Sequence, residues 1–423
     1  MLEYFTLGSI WSKIGIYQTF MKNLEQILGG KKRPIRAIYV SSYIPRKCGI
    51  ATYTKDLTNA INLINPHALA EIMVINRSKE NFNYPWEAKF KIDENSLHTY
   101  LQAADYINHS GTDIVSLQHE FGLFGSHWGE NIVPFVEALK RPLVTTLHTV
   151  LDDPESDGGT IIKRLINKSA AVIVMMEKIK DKLIEDYEAP ADKIVVIHHG
   201  TPDLPFTPTD EEKKRKKLSD RLVLGNINLL SHIKGVEYSL KAVALIAKVF
   251  PNVLYLVIGQ THPVDKHNND EKYRKSLINL VKKLHIEKNV RFINRYLSLN
   301  ELIDWIKAID FYITPYLDPE QAASGALAYA IGAGKCCISS PYIYAKEVLA
   351  NRRGVIVPFK DPEAIASAVI KLWKNKNQKE EIEKRAYSYG RLMTWSNVAY
   401  QYLNLFTTIL HNGDGTHCKN PRK

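Results

Sequence analysis

A chain of 423 residues is longer than one ordinary hydrophobic core fills and suits two α/β domains with additions at the ends. Apolar residues at 45% and charged residues at 24% describe a soluble globular protein. The net charge of +11 lies mainly as lysines on predicted helix faces, its densest run being Lys213 to Lys217 after Asp210-Glu211-Glu212; with no aromatic-basic motif and no recognition-helix pattern, it points to anionic small ligands or an anionic membrane surface and away from nucleic acid.

Residues 1 to 34 come first. Ile10, Ile14, Tyr17, Met21, Leu24 and Leu28 recur at helical spacing, flanked by Trp11 and Phe20, with Lys13 and Lys22 on other faces. Such an amphipathic extension packs on the body of the protein, and the alternative is peripheral contact with a membrane or a partner. The body begins with a buried-strand run, Arg36 to Tyr43, that breaks at Pro45 and Gly49 before a helix from Ile50. Continuous apolar strands then alternate with helices: Glu71 to Ile75, Ile114 to Gln118, Leu143 to Leu147, Ala171 to Met175 and Ile194 to Ile197. That alternation predicts a parallel sheet covered on both faces, a Rossmann-like domain over residues 35 to 205.

From Pro205 to Leu222 the composition turns to Pro, Thr, Glu and Lys without apolar periodicity, and a linker is expected over 206 to 221. A second series follows over 222 to 394: Leu222 to Leu224 with Ile227 to Leu230, then Val253 to Ile258, Val290 to Ile293, Phe311 to Pro315, Cys336 to Ser339 and Gly354 to Val357. The final helix, 395 to 411, carries Trp395, Val398, Ala399, Tyr402, Leu403 and Phe406 on one side and is expected to cross back to the first domain, leaving a flexible tail over 412 to 423. The fold class is therefore α/β, with two doubly wound domains whose strand ends face each other across a cleft.

The stretch Pro319 to Lys335 carries the most chemistry. A strand ends in a loop with Ser324-Gly325 and enters an Ala-rich helix, which directs backbone N–H groups and a positive helix end at one spot. Gly325 lets a phosphate approach the backbone, and Glu320 accepts from sugar hydroxyls beside it. A nucleoside diphosphate sugar carries both groups. The bland alternative is a helix packed tightly on a parallel sheet. The other loops after predicted strands are polar as well: Pro45 to Thr52, Gln118 to Gly125 and Leu147 to Val150 in the first domain; Ser231 to Gly235, Gly259 to Pro263 and Asn294 to Leu297 in the second. Hydroxyl partners on one wall and diphosphate partners on the other are what a sugar-transfer site needs. Glu120 fits equally a cap or a pair with Arg46, and Glu347 reads as an exposed helix residue.

Taken in order, Lys47-Cys48-Gly49-Ile50-Ala51-Thr52, Gln118-His119-Glu120-Phe121-Gly122, Leu147-His148-Thr149, Lys234-Gly235, and Ser324-Gly325 with Gly332-Ala333-Gly334-Lys335 resemble a bacterial subgroup of the family 4 retaining glycosyltransferases, over roughly residues 36 to 410. The resemblance implies a GT-B fold, an acceptor domain first and a nucleotide-sugar donor domain second. It implies catalytic roles for His148, Glu320 and Lys234, the last on the donor diphosphate. Gly49, Asn228, Gly259, Arg295, Tyr296, Gln321, Ser324, Gly325 and Tyr329 become donor-side candidates, and Arg46, Gln118, His119 and Glu120 acceptor-side ones. Two departures stand out: no arginine precedes Lys234 within Asn226 to Ser231, and Tyr329 occupies the place of a usual glutamate that binds ribose.

The expected reaction moves a hexosyl unit from a donor of the GDP-mannose or UDP/ADP-glucose type to a carbohydrate or other hydroxyl, with no cofactor beyond the donor. No Asp-X-Asp pair sits where a divalent cation would bridge phosphates, so a metal-independent route is expected. A non-catalytic sugar- or nucleotide-binding protein and a nucleotide-sugar epimerase are the alternatives. Cys48, Cys336, Cys337 and Cys418 form neither a disulfide framework nor metal-ligand pairs, which suits a reducing cytoplasm. No apolar run is long enough to span a bilayer, and no signal peptide is read; a peripheral place at the inner membrane face through residues 1 to 34 stays open.

Overall fold

The computed structural model describes residues 34–78, 80–261 and 271–414. The helix expected within residues 1 to 34, most of the expected tail with Cys418, and the His262-Pro263 end of one predicted loop lie outside the described residues. Seven parallel strands form the first sheet: β1 (Ala37–Ser41), β2 (Glu71–Asn76), β3 (Ala88–Asp93), β4 (Ile114–His119), β5 (Leu143–Leu147), β6 (Ala171–Val174) and β7 (Ile194–Val196), in the order β3-β2-β1-β4-β5-β6-β7. Six more form the second: β8 (Leu222–Ile227), β9 (Val253–Ile258), β10 (Val290–Ile293), β11 (Phe311–Thr314), β12 (Cys336–Ser339) and β13 (Val355–Ile356), in the order β10-β9-β8-β11-β12-β13. Every pairing is parallel, as in Ile38 opposite Glu71 and Leu224 opposite Phe311. The central strands are buried along their whole length because helices cover both faces, which is why they read as unbroken apolar runs.

Six helices position the site: α1 (Gly49–Ile64), α2 (Glu177–Glu185), α3 (Thr209–Arg215), α4 (Gly325–Gly332), α5 (Ile343–Val348) and α6 (Trp395–Asp414). Helix α3 occupies the stretch expected to be a featureless linker. Its lysines are not all solvated, since Lys213 is 2% exposed and its Nζ donates to Asp310 Oδ2 at 3.0 Å. The same carboxylate oxygen accepts the Val223 amide at 2.8 Å, so this buried pair ties α3 to the start of β8. Helix α6 returns to the first domain, where the Tyr402 hydroxyl meets Tyr53 at 3.2 Å and Thr146 at 2.8 Å. One apolar cluster runs from the first sheet through Trp395, Val398 and Tyr402 to Leu327, Ala330 and Ile331 of α4, and a second fills the outer half of the second domain. No helix among the described residues is long and apolar enough to cross a membrane.

Candidate active site

In each sheet the strand order reverses beside the first strand of its series: β1 lies between β2 and β4, and β8 between β9 and β11. Chains leaving the carboxyl ends of those strands diverge to opposite faces and open a crevice, the usual ligand position in this architecture. The segments after β1 and β4 carry Arg46, Gly49 and Glu120, and those after β8 and β11 carry Asn228, Lys234, Gln321, Ser324 and Gly325. The topology therefore gathers most of the predicted residues at two facing crevices.

On the second-domain wall, the Lys234 turn ends at Gly235, whose φ of +59° is left-handed; a Cβ there would stand 2.1 Å from the Pro315 carbonyl, so only glycine fits. That turn holds the half-buried Lys234 amine 4.0 Å from the centre of the Tyr316 ring and 3.3 Å from Gln321 Oε1. Burial pulls the amine down to about 8, opposed by the charge of Asp318, so Lys234 is mostly protonated at neutral pH. Among the described residues no carboxylate lies within ion-pair distance of it, and two of its three N–H groups have no protein acceptor. Asn228 accepts from the Tyr316 hydroxyl and donates to Asn226. Gly259 has a φ of +129°, and a Cβ on it would strike the Asn228 carbonyl at 1.8 Å, so this glycine serves the close approach of two backbones.

Adjacent positions separate sharply at the entrance of α4. Glu320 is exposed and its amide bonds Asp318, whereas Gln321 receives Lys234. The side chain gathered with the lysine is thus Gln321, and Glu320 stands apart, because successive residues in an extended loop point opposite ways. Ser324 caps α4, accepting the Leu327 amide at 3.3 Å. The side-chain direction of Gly325 is already filled by the first domain, since a Cβ there would lie 3.0 Å from His199 Nε2. Arg295 is engaged by Glu301 at 2.6 Å, while Tyr296 reaches the first domain, where its hydroxyl meets Thr52 at 3.0 Å and the Lys47 amine lies 5.9 Å from its ring centre.

The first-domain wall is more closed than its sequence suggests. Gln118 and His119 are wholly buried instead of lining the cleft. The Gln118 Oε1 meets His148 Nε2 at 3.0 Å, and His119 stacks on Phe124 with neither ring nitrogen hydrogen-bonded among the described residues. His148 is 7% exposed and meets the Tyr53 ring edge-on; burial lowers it to about 3, so it is a neutral imidazole throughout the physiological range. Glu120 caps the turn Phe121–Leu123 and accepts from Thr149 at 2.9 Å, which settles it as a cap and not as a partner of Arg46. Gly49 opens α1 in free space, and a Cβ added to it would have nothing within 4 Å.

Three contacts that the sequence does not announce join the domains. Tyr329 of α4 donates to Asp56 Oδ2 of α1 at 2.6 Å; burial raises the Asp56 carboxyl, and this hydrogen bond opposes the rise. His199, after β7, sits against Gly325 and Tyr53. Glu347 of α5 is half-buried and accepts the Glu177 and Lys178 amides at 3.1 and 3.3 Å, capping α2 across the domain boundary, where the sequence predicts an exposed residue. The signal that could have found His199 is its place in His198-His199-Gly200, directly after a predicted strand.

Comparison with known proteins assigns both halves. Residues 208–389 match the model of glycosyl transferases group 1, and residues 70–203 match glycosyltransferase family 4. A D-inositol 3-phosphate glycosyltransferase of Corynebacterium glutamicum is 24% identical over 296 residues, covering 64% of this chain and 68% of that protein. An uncharacterized glycosyltransferase of Methanocaldococcus jannaschii is 24% identical over 259 residues, covering 60% and 62% respectively. Among solved structures, Anabaena HepE in complex with UDP and glucose superposes with a TM-score of 0.68 at 14% identity, over 88% of this chain and all of that one. Sucrose-phosphate synthase from Thermosynechococcus elongatus gives 0.71 at 16% identity, over 89% and 100%.

Proposed function

We propose that this chain, which belongs to the family 4 glycosyltransferases of GT-B fold, moves a hexosyl unit from a nucleoside diphosphate sugar of the GDP-mannose or UDP/ADP-glucose type to a hydroxyl of a carbohydrate or other acceptor, with retention and without a metal. The observation that carries the donor side is Lys234: a protonated amine at a strand-end crevice, held on Tyr316 and Gln321, with free N–H donors and, among the described residues, no carboxylate to neutralise it. The chemical demand is to stabilise charge on the departing diphosphate while the sugar turns oxocarbenium-like, and a fixed cation in a site shielded from water is worth a few kcal/mol of barrier, about 3 for one well-placed donor. The capped entrance of α4 at Ser324 adds backbone dipoles of the same sign. His148, neutral and hydrogen-bonded to Gln118, supplies a polar but uncharged group to the sugar side.

A second reading is nucleotide-sugar binding without transfer, favoured by the engagement of Tyr329 with Asp56 of the opposite domain in place of a carboxylate free for ribose. We place the reaction in the cytoplasm, from the unpaired cysteines, with contact of residues 1 to 34 with a membrane surface as part of the same proposal. Calorimetric titration of UDP, GDP and ADP in the presence of EDTA tests the donor half. One of them should bind without added metal; binding that requires magnesium or manganese defeats the metal-free route.

A further inference from the structure

We infer that the entrance of helix α1 is an anion site that holds a phosphate group of the acceptor. The first observation is Arg46. It is 6% exposed, its Nη1 is fully buried without a partner, and among the described residues its guanidinium makes no hydrogen bond and has no carboxylate within ion-pair distance. Arginine is almost never buried unless paired, because removing its charge from water is costly unless an anion replaces the hydration. The Arg46 charge is felt by Glu94 and by the Tyr84 hydroxyl, and Tyr84 also feels the Cys48 thiol, so the guanidinium and the cap of α1 share one pocket around Tyr84.

The second observation is the helix itself. Helix α1 is 16 residues long, and its first amides precede any intrahelical acceptor; Cys48 Sγ takes the Ala51 amide, leaving the Gly49 and Ile50 end forward. Gly49 is exposed, its φ is ordinary, and a Cβ on it would meet nothing. Neither backbone conformation nor packing therefore requires glycine there, whereas a ligand seated against the helix entrance does. Lys47, exposed beside it and facing Tyr296 of the second domain, adds a further cation on the cleft side. A forked guanidinium, an ammonium and a helix entrance together suit a doubly charged, three-oxygen group better than a single carboxylate. The site lies on the first-domain wall, apart from Lys234, which assigns the anion to the acceptor. That assignment to the acceptor rests on the transfer reading above; the anion site does not.

The test uses the full chain and inorganic phosphate as probe, with melting temperature read against chloride at matched ionic strength. Phosphate should raise the melting temperature of the parent and of Lys234→Ala alike, through preferential binding to the folded state. In Arg46→Gln the apparent phosphate affinity should fall at least tenfold. Gly49→Val, which fills the open space without a packing clash, should lose the response as well and guards against a folding defect in the first variant. An equal response in parent and both variants, no response in the parent, or loss in Lys234→Ala instead overturns the site. An acetate response matching that of phosphate overturns the phosphate assignment. Arg46→Gln should leave nucleoside diphosphate affinity unchanged, and a tenfold loss there would give the anion to the donor and overturn the acceptor assignment. A phosphate response confined to Arg46 in a protein that transfers no sugar would leave the anion site standing while defeating the transfer reading.

Discussion

Removing the Lys234 charge is the perturbation that reaches furthest into the donor site. Its amine is held 4.0 Å from the Tyr316 ring centre and 3.3 Å from Gln321, and burial has already drawn it down to about 8. A hydrogen bond to a charged group contributes about 1.5–3 kcal/mol, so Lys234→Ala should weaken nucleoside diphosphate binding by about 10- to 150-fold. Proton linkage adds a second signature. Above pH 8 the free protein must take up a proton to present the cation, so parent affinity should fall by nearly tenfold per pH unit until the pKa of the bound state is reached. Lys234→Ala should bind weakly with no such slope, and Lys234→Arg should keep the charge and stay flat to pH 10. Stability moves the other way: between pH 8 and the ordinary lysine value of 10.5 the unfolded chain holds a proton that the folded chain lacks, so folding gains with rising pH in that window. Calorimetry at pH 7, 8, 9 and 10 reads the binding slope. A flat parent profile together with unchanged affinity in Lys234→Ala would refute the assignment.

Other variants separate structural from ligand roles. Tyr329→Phe removes the 2.6 Å donor to the half-buried Asp56 and should lower stability by about 1–3 kcal/mol, seen in denaturant melts; an unchanged midpoint would show that this contact does not hold the domains together. Glu347→Ala uncaps α2, at a cost of about 0.5–2 kcal/mol, and should speed hydrogen exchange at the Glu177 and Lys178 amides, whereas unaltered protection would contradict the cap. Lys213→Ala strands Asp310 in the interior and should cost about 3–5 kcal/mol, which a double variant with Asp310→Asn should partly restore. Gly325→Val drives a branched side chain into His199 and should destabilise by about 1–3 kcal/mol; a stable variant that merely loses nucleotide affinity would return Gly325 to a role as a phosphate cradle.

The two sheets were legible because their inner strands are apolar without interruption. Strand β3 was not, since Lys89 and Lys91 alternate with Ala88 and Phe90 on a half-exposed edge and no long apolar run marks it. Helix α3 hid for a related reason: its anchors are Glu212 and Lys213, and hydrophobic patterning counts both as solvent-facing. The loops of the candidate site could be found by the rule that ligands gather at strand carboxyl ends. Which side chain within a loop faces the cleft could not, because that depends on how the two domains meet. Glu320 and Gln321 are neighbours in sequence with opposite surroundings, and His119 turns inward onto Phe124 while the adjoining Glu120 caps a turn. Asp56 and Glu347 carry no motif at all; their partners, Tyr329 and the α2 amides, lie in the other domain.

Transfer itself is measured most directly by incubating the protein with UDP-glucose, ADP-glucose and GDP-mannose in turn, together with a pool of free and phosphorylated sugars, and following both nucleotide and sugar products by mass spectrometry. One donor should release its nucleoside diphosphate in step with a product heavier by one hexose, in the presence of EDTA, and Lys234→Ala should slow both by at least tenfold, about 1.4 kcal/mol of barrier. Nucleotide binding without release of diphosphate from any donor would make the chain a binding protein, and conversion of the donor sugar with no diphosphate released would make it an epimerase; either result contradicts glycosyl transfer.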